Sequence, residues 1–459
     1  MASAAGALLL ATAGLAAGCG SASREPGSVR IDSPVRPAKP GVDVVVIVKD
    51  GDTGRRLRNA RVRIGPHSNR TDANGVASLS LSRHGTFAVR AAARGYTGRE
   101  LRLGFGRRRY RMLQLYRPQL QWTLYGATPE RTQTHASIGL RPPFRVVWKR
   151  RIGYIEFPAV VSDGIAYITN LGGTIRALRM LDGKRIWFRK IKYGKSASSP
   201  AVVGDELVVH GMDGYVRVLD RLTGRLIWRY YVGSAVESSP IVVHGVDYFG
   251  TWDGNVYALD LRRHRVRWIH RAGSKITSSA SIAGGTLYIG DYSGRIWALS
   301  PDSGGVRWVS GVGGRIYGTP SVAGGRVFVP SSDGDSLTAF SVQGRQLWSI
   351  NTGAYVYSSP AVWAGRVYFG SFNGVLYCVA AASGHILWSY SSGRPISGAP
   401  TVVAGMVYFS NTGRRTYGLD ARSGRRLMSF ADGDYVPISG NGSKLLLHGF
   451  ATLYGVEPK

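Results

Sequence analysis

The sequence predicts an all-β protein: an eight-bladed β-propeller of four-stranded blades preceded by a small N-terminal β-sandwich. Three observations carry this expectation. Tryptophans stand at 148, 187, 228, 268, 308, 348 and 388, and Met428 continues the row. Prolines open an apolar run at 158, 200, 240, 320, 360 and 400, with Ala280 on the missing beat, and from residue 200 the step is 40. Asp-Gly or Asn-Gly pairs recur in step, at Asp213-Gly214, Asp253-Gly254, Asp333-Gly334 and Asn373-Gly374. A period of this length without a helical pattern inside it holds four short strands and four turns, and such units assemble as propeller blades.

Residues 238–268 show one unit in order. Apolar residues follow Pro240, a turn falls near Gly245, 246–251 forms a second strand, 255–259 a third and 265–270 a fourth. Asp253-Gly254 joins the second and third as a tight hairpin, which needs the positive φ that glycine supplies. The tryptophan of the fourth, outermost strand is expected to be wedged between blades and largely buried, so Trp148, Trp187, Trp228, Trp268, Trp308, Trp348 and Trp388 read as blade-docking residues rather than a ligand platform. Val218, Ala258, Ala298, Thr338, Cys378 and Gly418 share one beat of the third strand, a slot for compact side chains. Cys378 there reads as a buried hydrophobe, not a nucleophile.

The eighth unit lacks a tryptophan strand after residues 444–456, and residues 144–152 with Trp148 supply one from the other end. That pairing closes the ring over residues 144–459 and removes its open edges. The passage from third to fourth strand, VRVLDRLTGRLIW at 216–228 and YGLDARSGRRLM at 417–428, resembles the PQQ-like repeat, departing from it at Val218 and Met428. The resemblance implies the propeller shared by BamB-like lipoproteins of the outer-membrane protein assembly machinery and by quinoproteins. Residues 119–143 contain WTLYG, similar to the opener ahead of such propellers, and are expected to pack on the outside or bottom of the ring.

Residues 1–19, MASAAGALLLATAGLAAGC, resemble a lipoprotein export signal with Cys19 as the lipid-bearing residue, although no Lys or Arg precedes Arg24 and Ala16 stands where such signals carry Leu. Residues 20–41, with Pro26, Pro34, Pro37 and Pro40, read as an extended tether. Residues 42–118 alternate strand and turn as a small sandwich. The series DGDTG, ARVRI, TDANG and GTFAVRAAARGY resembles the carboxypeptidase regulatory-like (transthyretin-like) domain, which implies a non-catalytic stalk. Asp72 and Asn74 read as a turn rather than a calcium loop. With Cys19 and Cys378 assigned to these places, no intramolecular disulfide is expected.

The formal charge is +32, and residues 42–117 hold 17 Lys and Arg against 5 Asp and Glu. Such a field favours anionic surfaces, acidic polymers or lipid headgroups. Nucleic acid is not expected, because the N-terminus resembles an export signal, no recognised nucleic-acid motif occurs and the charge is spread over the whole chain. Catalysis is not expected either: the nine His are scattered, no two Cys are adjacent, and no H-E-x-x-H, G-x-S-x-G or P-loop occurs. No cofactor or metal is expected. Strand alternation, counted back from each proline, puts Lys195, Lys275, Arg315, Tyr355 and Tyr435 with Glu237, Tyr317 and Tyr357 at the channel mouth, a part-cationic, part-tyrosine docking site for an acidic peptide or glycan. The reading is therefore an exported, monomeric, membrane-anchored envelope scaffold that binds envelope proteins or acidic polymers. The alternatives are a PQQ-dependent dehydrogenase and a glycan-binding surface module.

Overall fold

The computed structural model describes residues 41–106, 109–191 and 194–459. The expected signal, Cys19, the tether up to Pro40, and Arg107 and Arg108 lie outside the described residues. Among the described residues the only helical turn is the 3-10 turn Pro118–Leu120, and all other regular structure is strand.

Residues 42–115 form two sheets. One orders Val76–Leu81, Val42–Asp50 and Tyr110–Leu115; the other orders His67–Arg70, Arg61–Ile64, Gly85–Ala92 and Arg99–Phe105. Alternation along Val42–Asp50 sends Val44, Val46 and Val48 into a core shared with Val62, Ile64, Val89 and Phe105 of the other sheet. Asp72 makes a turn, its Oδ1 accepting the N–H groups of Asn74 and Val76 at 2.8 and 2.9 Å. Gln121 joins this part to the rest: Nε2 donates to Asp52 Oδ1 at 3.3 Å and Oε1 accepts Asp163 N–H at 3.0 Å. Residues 42–459 accordingly make one compact unit.

From residue 158 onward each sheet runs through four strands in chain order, as in Ile241–Val243, Val246–Gly250, Asn255–Asp260 and Arg265–Arg271. Six such sheets and a seventh, which Thr134–His135 extends to five strands beside Thr401–Val403, are followed by one of mixed origin, in which Ile438–Gly440, Leu445–His448 and Thr452–Pro458 accept Phe144–Arg151 as the fourth strand. There Gly455 faces Trp148 and Thr452 faces Arg151. The innermost strand Val160–Ser162 lies beside Ile438–Gly440, so the first and last sheets meet. This is a β-propeller.

The repeat motif acts between sheets. Asp220 Oδ1 accepts the N–H groups of Leu222 and Thr223, at 3.1 and 2.8 Å, and the Thr223 hydroxyl at 2.7 Å, which folds a tight turn ending at Gly224. Gly224 takes φ +69° and lies beneath the Trp187 indole of the preceding sheet, whose Nε1 donates to Arg221 O at 2.9 Å. Gly183, Gly304, Gly344, Gly384 and Gly424 stand likewise under Trp148, Trp268, Trp308, Trp348 and Trp388. Across its own sheet each tryptophan faces the small-residue slot: Val218 with Trp228, Ala258 with Trp268, Cys378 with Trp388. Burial pushes the Cys378 thiol up to about 12, which keeps it protonated and unreactive.

Three details refine the sequence reading. Trp148 and Trp187 are buried, and Trp228, Trp268, Trp308, Trp348 and Trp388 are partly buried. Ala339, not Thr338, faces Trp348, and Asp335 rather than Gly334 takes the positive φ of 52°. That hairpin is one residue longer and the following turn one shorter, so the step of 40 hides the slip. The third detail concerns the innermost strands, which begin after each proline, as in Ala201–Val203, and not before it.

Candidate functional site

The segments leading into the innermost strands converge on the propeller axis. The residue before the proline, or before Ala280 on the same beat, is a hydroxyl in five successive repeats, and the last four accept the backbone N–H of the counterpart one repeat earlier. Ser239 Oγ accepts from Ser199 at 3.1 Å, Ser279 Oγ from Ser239 at 2.8 Å, Thr319 Oγ1 from Ser279 at 3.3 Å and Ser359 Oγ from Thr319 at 2.8 Å. The next counterpart, Ala399, has no hydroxyl. There Tyr125 enters from residues 119–143, donating to Ser359 Oγ at 3.1 Å and packing its ring with Ala399, Val436 and Phe157.

The same segment closes the axis from below. Carbonyls of Trp122, Thr123, Pro129, Glu130, Thr132 and Gln133 accept N–H groups of Val161, Val202, Ile282, Val322, Val362 and Val402, at 2.6 to 2.9 Å. Arg131, wholly buried, donates to Ala280 O at 2.9 Å, to Ser239 O and Pro240 O at 3.1 and 3.0 Å, and to Tyr125 O. Burial lowers its guanidinium to about 10, still far above neutral pH, and the charge is held by these carbonyl dipoles with help from the Tyr125 ring and the Asp247 charge.

Above this floor lies a cavity of ≈ 340 Å³ whose wall includes Glu156, Glu237, Tyr317, Tyr357, Phe372 and Tyr435. Glu237 is 7% exposed; Tyr317 Oη donates to its Oε1 at 2.8 Å and Trp252 Nε1 to its Oε2 at 3.0 Å. Burial pushes the Glu237 carboxyl up, opposed by these two donors. Burial and the Glu237 charge push the Tyr317 phenol up as well. Glu156 has no hydrogen-bond or ion-pair partner among the described residues. Burial, then the charges of Glu237 and Asp434, push it up to about 7. Burial also raises Asp434, to about 6. The Tyr317 and Tyr357 rings meet edge to face at 5.3 Å and 88°, Phe372 lies 5.0 Å from Tyr357, and the Tyr435 and Tyr154 hydroxyls are 2.6 Å apart.

Four residues expected at the mouth, Glu237, Tyr317, Tyr357 and Tyr435, meet in this wall. Tyr355 stands at its rim, 47% exposed, against Tyr357 and Phe372. The expected cations do not line it. Lys275 Nζ lies 3.5 Å from the Trp252 ring centre, Arg315 pairs with Asp333 at 2.9 Å, and Lys195 is exposed. The cavity wall is thus acidic and aromatic, with the three cations outside it. The segment before each proline is not strand, so strand alternation does not hold there: Lys195, Lys275, Arg315 and Tyr355 stand outside the wall while Tyr435, on the same beat, lines it. Glu156 was not singled out, yet the sequence marks it: two residues before the proline the other repeats carry Ser198, Ser238, Ser278, Gly318, Ser358 and Gly398. Tyr125 and Arg131 belong to no repeat and carry no such mark.

A quinone cofactor of the polycarboxylate type would need cations, and this wall presents two glutamates and neither Lys nor Arg. Glu237 has both oxygens engaged, and among the described residues no three His, Cys, Asp or Glu side chains gather as metal ligands. The residues present do not fit that group.

Fold and motif together define a PQQ-like-repeat β-propeller. The family described as outer membrane protein assembly factor BamB matches residues 144–280, 253–356 and 343–454, and the chain belongs to it. A BamB of Bordetella pertussis is 31% identical over 81 residues, 18% of this chain and 21% of that protein, so the chain spans about a fifth of this curated relative. The crystal structure of BamB from Moraxella catarrhalis superposes with TM-score 0.59 at 16% identity, over 69% of this chain and 98% of that one. The quinohemoprotein alcohol dehydrogenase of Comamonas testosteroni superposes with TM-score 0.62 at 14% identity, over 73% and 80%. At such identities the likeness extends to fold and not to chemistry.

Proposed function

We propose that the protein is a non-catalytic scaffold of the cell envelope, in keeping with the assembly-factor name of its relatives. In this reading the chain is exported and tethered through Cys19 and residues 20–41. Residues 42–118 form a sandwich stalk whose basic surface lies toward anionic headgroups, and an eight-bladed propeller, residues 144–459, docks other macromolecules on the face that carries the axial cavity. The tryptophan row holds blade to blade. One observation carries the reading: the cavity is floored by residues 119–143 and walled by Glu156 and Glu237 without Lys or Arg, the opposite of what a polycarboxylate quinone requires.

The experiment is to incubate the full chain with pyrroloquinoline quinone and calcium, then to measure quinone absorbance after desalting and dye-linked oxidation of alcohols and sugars. The expected result is neither bound quinone nor turnover. Stoichiometric quinone with turnover would sink the scaffold reading in favour of a dehydrogenase.

A further inference from the structure

We infer that the axial cavity receives a basic side chain, arginine or lysine, presented by a partner polypeptide. This rests on the scaffold reading and names the partner's chemistry. The part-buried Glu156 carboxylate lies in the cavity wall without a counter-charge, and such a carboxylate gains from a cation that reaches it. The protein's own nearby cations are otherwise engaged, Lys275 on the Trp252 ring and Arg315 on Asp333.

The rest of the wall suits the same guest. The Tyr317 and Tyr357 rings touch edge to face, and a cation over the face of an aromatic ring of this wall is attracted to it. Ser397 Oγ lines the cavity buried and without a hydrogen-bond partner, so it can accept an N–H donor. A volume of ≈ 340 Å³ is at the small end for ligand sites. The closed floor leaves the rim as the way in, and Tyr355 is exposed there to meet the backbone that carries the side chain.

Binding is coupled to a proton. Glu156 faces the Glu237 and Asp434 carboxylates and the Tyr154, Tyr317 and Tyr435 phenols, and no cation. With its carboxyl near 7, an arriving cation favours the ionised form and releases a proton. Affinity rises with pH, by about tenfold between pH 6 and pH 8 for one group titrating near 7.

The test is titration calorimetry of the full chain with acetyl-Gly-Arg-Gly-amide and with the neutral citrulline counterpart, at pH 6 and 8, on the native protein and on Glu156→Gln. The arginine peptide is expected to bind saturably at pH 8, at least about tenfold more tightly than at pH 6, than the citrulline peptide, or than to a Glu156→Gln protein that melts no lower than the native one. Equal binding of the two peptides, undiminished binding by Glu156→Gln, or no saturable binding of the arginine peptide overturns the assignment. These failures leave the scaffold reading standing, since that falls only to quinone binding with turnover.

Discussion

The Trp187 indole rests on Gly224 of the next sheet so closely that a Cβ at Gly224 would lie 2.6 Å from the ring. The final glycine of the D-x-x-[ST]-G turn is thus chosen twice, by its positive φ and by the ring above it.

Gly224→Ala is expected to cost about 2 to 4 kcal/mol, combining left-handed strain with displacement of the indole. Trp187→Ala is expected to cost about 3 to 5 kcal/mol. The two should be far from additive, because once the ring is gone only the backbone strain remains. Urea denaturation of both single variants and the double variant checks this; full additivity would show that the contact does not join the sheets.

Arg131→Met leaves the carbonyls of Tyr125, Ser239, Pro240 and Ala280 buried without this donor. At about 1 to 3 kcal/mol for each unsatisfied group, a loss of at least about 3 kcal/mol is expected. Arg131→Lys should recover little, since an ammonium has three donors and no planar fork. Denaturation midpoints that stay within experimental scatter of the native value would refute the hub role of this arginine.

Truncation after Ser439 removes Leu445–His448 and Thr452–Pro458 and strands Phe144–Arg151 without a partner. The two exposed edges are expected to cause aggregation. Deletion of residues 1–117 instead removes a unit with its own core and should leave a folded propeller, slightly weakened by the loss of the Asp52 contact to Gln121. Light scattering and calorimetry distinguish the two, and a soluble, cooperatively melting C-terminal truncation would contradict ring closure.

Glu156 makes stability depend on pH. Its carboxyl is raised from 4.5 to about 7 in the fold, so the folded state keeps a proton that the unfolded chain has already lost. Stability is complete below about 4.5 and declines as pH rises through about 7, by a contribution on the order of 1 to 3 kcal/mol. Glu156→Gln should flatten this decline and raise the melting temperature at pH 8. A melting profile unchanged by the substitution would show that the carboxylate is solvated.

Much of the fold was legible because the repeat is written in residues with single purposes. Tryptophan, proline and the turn glycines each answer a local geometric demand, so their spacing gives strand and turn order directly. Thr338 shows the limit of such counting: a compensated slip of one residue keeps the period and moves the side chain to the other face. The site was half legible. Glu237, Tyr317 and Tyr357 were found by beat, whereas Lys195, Lys275 and Arg315 were assigned an alternation that holds only inside strands. Tyr125 and Arg131 were out of reach, because their roles come from contacts with residues more than 100 positions away.

Residues 119–143 differ from everything that follows them, and that difference has an arithmetical consequence. Their carbonyls are spaced to meet the inner strands of particular sheets, and their one buried tyrosine fits where the hydroxyl series gives out at Ala399. Tandem duplication readily adds or removes a unit of 40 residues, yet any such change would put every later carbonyl opposite the wrong strand. The unrepeated segment is a gauge against which the repeats are counted.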